Sequence, residues 1–179
     1  MNIVGDIRLR SSRPHPIEMR KDRFEITLSE IEVKYVEAVV EMKAAYDIQC
    51  GKSMNLKVGE KTKQRMLNST GAELAFAKLC NVYVDFTRRY RWYDVILPDG
   101  RTVDIKHTDQ DRGHLICNAS GIQKRIPDLF ALMVGEFPTF EFRGVIVGEI
   151  FIQEANLKDL GHGPCYAVEQ GRLSLDLNW

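Results

Sequence analysis

The segment Tyr93-Asp94-Val95-Ile96-Leu97-Pro98-Asp99-Gly100-Arg101-Thr102-Val103-Asp104-Ile105-Lys106 sets two carboxylates and an ammonium group around one turn signal. Pro-Asp-Gly suits a three-residue hairpin loop. Pro presets φ at the first position, Asp is favourable at the second, and Gly supplies the left-handed conformation at the third. With that loop Leu97 faces Arg101, and counting back sets Asp94 against Asp104 on one face of the sheet. Lys106 lies two residues further along and shares that face. A two-residue Asp99-Gly100 loop would slip the register by one and part the carboxylates to opposite faces. Pro98 favours the longer loop.

Opposed carboxylates at about 4 Å repel by roughly 4 kcal/mol at an effective dielectric near 20. A divalent cation between them turns that penalty into attraction, and such an all-oxygen donor set suits Mg²⁺. The plainer reading is an exposed, charged hairpin whose Asp residues only meet solvent. Val95, Leu97, Val103 and Ile105 alternate to the other face and should enter a core, so the hairpin reads as half-buried, with its charges on one side. Another carboxylate, Glu73, sits in the small-residue stretch Gly71-Ala72-Glu73-Leu74-Ala75-Phe76-Ala77. On a helix it shares a face with Met66, Thr70, Ala77 and Cys80, an unusual setting for a purely solvated acid. A boundary residue is the alternative.

The elements that must position these groups read as follows. Residues 1–28 mix basic, polar and Pro positions and suggest an irregular arm. Ser29 and Glu32 form a capping box opening a helix over about 30–47, with apolar residues at helical spacing and Gly51 beyond its end. Residues 51–59 read as a loop. A second helix should span about 60–79, with a break allowed at 68–71. Strands are expected over 82–86, 91–97, 101–108, 114–117, 128–134 and 142–153, a short helix over 154–160, and closing strands over 166–168 and 173–177. The expected whole is one α/β domain with a central mixed β-sheet flanked by α-helices. Its parts are an arm (1–28), a helix (29–50), a core (about 60–153) and a C-terminal extension (154–179).

The 179-residue length fits one domain, and 44% hydrophobic with 28% charged residues argues against disorder. No apolar run reaches the roughly 20 residues of a membrane helix, and the N-terminal stretch lacks a secretory signal's apolar core. A cytoplasmic protein with no membrane partner is expected. Cys50, Cys80, Cys117 and Cys165 are widely spaced, as free thiols in a reducing compartment would be, and not paired like zinc ligands. The formal net charge of zero counts mildly against electrostatic coating of nucleic acid. It does not exclude an enzyme whose carboxylates offset its basic groups.

Asp94, then nine residues, then Asp104-Ile105-Lys106, preceded by Glu73 on a helix, resembles the bipartite signature of the PD-(D/E)XK (restriction-endonuclease-like) nuclease superfamily. The resemblance covers about residues 70–147, and small phage-encoded nucleases look like the nearest kin. The chain departs from the signature in carrying Tyr93 where Pro is usual. Gln123 opens no Q-x-x-x-Y pattern. The resemblance implies a restriction-endonuclease-like core and a Mg²⁺- or Mn²⁺-dependent deoxyribonuclease, an endonuclease, in a bacterial or phage-infected cell. Asp94, Asp104 and the backbone carbonyl of Ile105 would ligate the metal, with Glu73 reaching it directly or through water. Lys106 would orient or deprotonate the attacking water and stabilise charge on the phosphate. Beside a metal its pKa should be lowered. Double-strand cutting would suggest a homodimer, nicking a monomer.

For nucleic-acid contact, Arg88, Arg89, Arg91, His114, Lys124 and Arg125 are the candidates. Trp92, Tyr93 and Tyr90 lie among the arginines in a mixture that can stack bases and hold phosphates, or equally form core and rim. His107 alternates to the core face and reads as structural, and His162 sits in a Gly-His-Gly turn. No phosphate loop, nucleophile elbow or H-x-x-x-H pattern occurs, so no nucleotide cofactor is expected. Two other function classes compete. One is a catalytically silent nucleic-acid-binding module on the same fold, and the other is an interaction protein whose charges are incidental.

Overall fold

The computed structural model describes residues 24–49, 60–86, 92–122, 125–161 and 163–177. The chain is a mixed α/β structure. Its elements, in order, are β1 (Phe24–Thr27), α1 (Glu30–Gln49), α2 (Glu60–Cys80), β2 (Val95–Ile96), β3 (Thr102–Thr108) and β4 (Leu115–Asn118). There follow β5 (Leu129–Glu136), β6 (Thr139–Val147), the short α3 (Gly148–Phe151), β7 (Leu157–Asp159) and β8 (Pro164–Val168).

The first helix opens on the expected capping box. Ser29 N donates to Glu32 Oε2 at 2.6 Å, and Glu32 N donates back to Ser29 Oγ at 3.4 Å. Lys78 of α2 reaches the same Glu32 carboxylate at 2.7 Å and so ties the two helices together. The second helix runs unbroken through residues 68–71, because tertiary contacts replace what its polar residues lack in propensity. Asn68 is buried, and its Oδ1 accepts from Gln64 Nε2 and from the Phe137 backbone N–H.

Five strands form the main sheet in the order β1-β6-β5-β3-β2. Strands β3 and β5 run parallel, and the other neighbours pair antiparallel. The second sheet is β4-β8-β7. β5 explains why two layers can share one sheet: Leu129, Phe130, Ala131, Leu132, Met133 and Val134 are all buried. Leu129, Ala131 and Met133 join the core built with Val36, Val39, Val40, Ala72, Ala75 and Phe76 from the helices. Phe130, Leu132 and Val134 join a second core with Leu115, Cys117, Phe151 and Val168. A strand buried on both faces reads as a continuous apolar run.

Several expectations need correcting. The long helices both lie on one face, and the small sheet with α3 covers the other. The connection between parallel strands β3 and β5 passes through β4, where a helix is usual. The segment 1–28 is not irregular at its end, since Phe24–Thr27 pairs with β6 from Phe142 to Thr139. Residues 82–86 contribute only the single bridge Val84–Val95, and residues 173–177 only Ser174–Val145. The run 142–153 turns into α3 after Val147. Residues 154–160 form a 3₁₀ turn and then β7. A 3₁₀ turn at Gln170–Arg172 precedes Ser174, and Arg172 is fastened to buried Asn156 Oδ1 at 2.6 Å. The loop expected at 51–59 lies outside the described residues.

Candidate active site

The hairpin adopts the three-residue loop. Leu97 N donates to Arg101 O at 2.8 Å and Gly100 N to Leu97 O at 2.9 Å, and Gly100 has φ 92°. Asp99 reinforces the turn by accepting from the Arg101 backbone N–H at 3.0 Å. Val95 pairs with Val103 and Ile96 with Thr102, as the three-residue loop requires, but the ladder ends there. Asp94 N donates to Val103 O at 2.8 Å, one residue out of that register, so Asp94 does not stand opposite Asp104 as a ladder pair, contrary to the expectation, and meets β3 through its side chain instead. Val95, Leu97, Val103 and Ile105 are all buried in the helix-side core.

β2 is shorter than the expected 91–97 strand, and that shortness shapes the site. It pairs with only the first two residues of β3. From Asp104 onward the outer edge of β3 has no strand beside it among the described residues. The Asp94 carboxylate fills part of the gap, its Oδ2 accepting from the Ile105 backbone N–H at 2.6 Å. In an extended strand the N–H and C=O of one residue point to the same side, so the Ile105 carbonyl also faces this edge.

Asp104 and Lys106 pair with Phe130 and Leu132 of β5 and so point to the small-sheet side. Their own side chains meet, Lys106 Nζ donating to Asp104 Oδ1 at 2.6 Å. Glu73 approaches from the opposite, helix side of the sheet. It can share the site because the edge is open. Two clefts therefore meet at Asp94, Asp104 and Lys106. The larger, about 790 Å³, lies toward α2 and includes Glu73, Arg65 and Ser69. The smaller, about 240 Å³, lies toward the small sheet and includes Trp92, Tyr93, Cys117 and Arg125.

The electrostatics follow from crowding. Burial, then Glu73, then Asp104 push the Asp94 carboxyl well above its ordinary value, despite the Ile105 N–H that favours the anion. Burial raises the Glu73 carboxyl and the Asp104 charge adds to this, while Lys43 and Lys106 pull it down. Burial works to lower the Lys106 pKa, but the charge and hydrogen bond of Asp104 outweigh it, and the net shift is upward. The lowered value expected for Lys106 belongs to a site that holds a metal. The partner Lys106 meets here is an anion.

Lys43 of α1 belongs to the site and was missed by sequence reasoning. Its Nζ lies 3.8 Å from Glu73 Oε2, donates to Thr70 Oγ1 at 3.1 Å, and sits 5.0 Å over the Phe86 ring. A signal existed in the sequence: Val36, Val39, Val40 and Lys43 share one helical stripe, and a lysine on a buried stripe calls for a partner.

Of the nucleic-acid candidates, Arg125 lines the smaller cleft, and His114 is half-buried at the start of β4 and lines neither cleft. Arg88, Arg89, Arg91 and Lys124 lie outside the described residues, as do His162 and Tyr90. His107 is structural, its Nε2 bonding to Gly135 O at 2.7 Å and its ring meeting Phe140 edge-on. Cys80, Cys117 and Cys165 are free thiols, and burial pushes the Cys80 thiol up to about 12. Among the described residues no helix is long and apolar enough to cross a membrane. No three His, Cys, Asp or Glu side chains among them converge as a ready-made metal cage.

No protein-family model, curated protein or solved structure matches the chain.

Proposed function

We propose that this chain is a divalent-metal-dependent nuclease of the PD-(D/E)XK kind, cutting phosphodiester bonds within DNA, with a restriction-endonuclease-like core. The observation that carries the reading is the gathering of Asp94, Asp104 and Lys106 at the open edge of β3, with Glu73 beside them. The order of elements supports the fold: a helix bearing Glu73, the antiparallel hairpin bearing Asp94 and Asp104, then β5 beside β3. Carboxyl groups shifted upward in a cleft are a further mark of a functional site.

The donor set fits Mg²⁺ or Mn²⁺. All the candidate ligands are hard oxygens, and Mg²⁺ takes only one or two carboxylates and keeps several waters, so a three-residue cage is not required. Asp94 and Asp104 would hold the ion together with the Ile105 carbonyl, and Glu73 would reach it directly or through water. Their mutual repulsion is what a cation would relieve. A bound ion supplies an acidified water and neutralises charge on the phosphoryl oxygen. Lys106 projects into both clefts, where its ammonium can orient the water and balance the phosphate. Lys43 keeps the Glu73 carboxylate in place.

The Lys106–Asp104 ion pair, which satisfies both groups without a metal, favours one second reading, a silent nucleic-acid-binding module on this fold. One experiment separates the two. Supercoiled plasmid, linear duplex and single-stranded DNA are incubated with Mg²⁺, Mn²⁺ or EDTA, alongside folded Asp104→Asn and Lys106→Met variants. Metal-dependent cleavage lost in both variants is the expected result. DNA binding without cleavage or metal uptake would leave only the binding module.

A further inference from the structure

The smaller cleft has a composition that phosphodiester chemistry alone does not call for. One side carries Asp94, Asp104 and Lys106, and the others carry Trp92, Tyr93 and Arg125 over an apolar floor that includes Phe130. Trp92 and Tyr93 pack edge to face with ring centroids 5.0 Å apart, which fixes the indole beside the carboxylates. Arg125 is exposed at the rim, where a guanidinium can meet a phosphate.

The size of this cleft limits its occupant. At about 240 Å³ it falls below the roughly 300–1,000 Å³ of ordinary small-molecule pockets. It has room for one nucleoside and none for a stacked base pair with two backbones. An enzyme that works on a nucleotide in such a pocket must receive it unpaired. The larger cleft, about 790 Å³, continues from the same three residues on the other side of the sheet edge. It offers Arg65, Ser69 and Gln110 as polar partners for a strand.

Resting on the nuclease reading above, we propose that the smaller cleft is a nucleoside subsite. One unpaired deoxynucleotide stacks on Trp92, Arg125 holds its outer phosphate, and the next phosphate lies at Lys106, beside the metal that Asp94 and Asp104 would hold. The substrate class is single-stranded DNA or a locally unpaired strand, in preference to intact duplex.

The test uses the full chain with Asp104→Asn, to prevent cutting, and Trp179→Phe, to leave Trp92 as the only indole of the two. Oligo(dT) and a blunt, fully paired DNA hairpin are titrated separately, and indole fluorescence is followed. Cleavage of both probes by the wild type is measured in parallel. Oligo(dT) should quench the signal at concentrations where the hairpin does not. Binding by the Trp92 variants, which lack the reporting indole, is followed by the anisotropy of fluorescein-labelled oligo(dT), and Trp92→Ala should weaken it by about tenfold, a usual effect of losing one stacked base. Trp92→Phe should keep most of the affinity, and exposed Arg125→Gln should weaken binding without affecting the fold. Equal quenching by both probes, or a Trp92→Ala variant that is folded and binds as before, would overturn the subsite. Cleavage that persists with an unchanged preference in Trp92→Ala would also overturn it and leave the nuclease reading standing. Quenching by oligo(dT) with no cleavage of either probe would remove the nuclease reading and keep the subsite as a binding site.

Discussion

Lys43 on the first helix and Glu73 on the second face each other across the helix pair, Nζ to Oε2 at 3.8 Å, with Thr70 and Phe86 fixing the lysine from either side. Of the groups that favour the ionised form of Glu73, Lys43 contributes most. Lys43→Met should therefore raise the Glu73 pKa further. If cleavage needs the Glu73 anion, the acidic limb of the pH–rate profile moves to higher pH, and Lys43→Arg restores most of the original position. Superimposable profiles for wild type and Lys43→Met would remove Lys43 from the mechanism.

Asp94 stores a cost. Its carboxyl is held well above the ordinary carboxylate range by burial and by its acidic neighbours. A group whose folded pKa is raised contributes stability at low pH that is lost as pH rises through the folded value. The metal-free protein should thus lose this contribution toward neutral pH. Asp94→Asn should then raise the melting temperature near neutrality by about 2–4 °C, the shift that about 1 kcal/mol gives in a chain of this size. The gain should shrink as pH falls toward the ordinary carboxylate range. Other carboxyls such as Asp128 shift the opposite way, so the informative quantity is the difference between variant and wild type at each pH.

Metal should reverse the order. Mg²⁺ at about 100 times its dissociation constant would stabilise the wild type by roughly 2.7 kcal/mol. Asp94→Asn and Asp104→Asn should gain much less. Thermal melts with and without EDTA decide this, and equal Mg²⁺-induced shifts in all three proteins would exclude these carboxylates as ligands.

Lys106→Met removes the ammonium that meets Asp104 at 2.6 Å and leaves every proposed oxygen ligand in place. It should abolish cleavage while calorimetry still detects Mg²⁺ binding. Loss of binding together with activity would mean that Lys106 organises the carboxylates and plays no direct part with the phosphate.

Gly71 lies half a turn before Glu73, where the second helix meets the turn between β5 and β6. An added Cβ would fall 2.7 Å from Phe137 Cδ2 and 2.9 Å from Phe140 Cζ. Gly71→Ala should destabilise the fold by about 1–3 kcal/mol despite the better helix propensity of Ala. A denaturant midpoint at or above that of the wild type would contradict the close approach.

Local chemistry made part of this legible in advance. Pro98-Asp99-Gly100 specified the loop and hence the pairing of Val95 with Val103 and Ile96 with Thr102, though not the break in the ladder at Asp94. The Ser29–Glu32 box specified where the first helix begins, and the apolar run at 128–134 specified a buried strand. Long-range pairing was not legible. Alternation in Phe24–Thr27 gives the faces of a strand but does not name a partner more than a hundred residues away. Nothing local in Leu115–Asn118 says that this strand leaves the main sheet to build a second layer over Asp104 and Lys106. Glu73 could be placed on a helix, but its access to the hairpin depends on how short β2 is. That shortness emerges only once residues 82–86 are seen to supply one bridge.

The short β2 has one more consequence. A strand edge with bare N–H and C=O groups is a template for another chain, and natural sheets guard such edges with charge. On β3 the guards are Asp94, which occupies the Ile105 N–H, and the charged side chains of Asp104 and Lys106. By this argument the residues proposed to cut DNA should also keep one copy of the chain from adding its sheet to another. Truncating them to alanine strips this protection, so self-association enters any account of an inactive variant. Asn, Gln or Met replacements, checked for particle size, are the fairer probes of the chemistry.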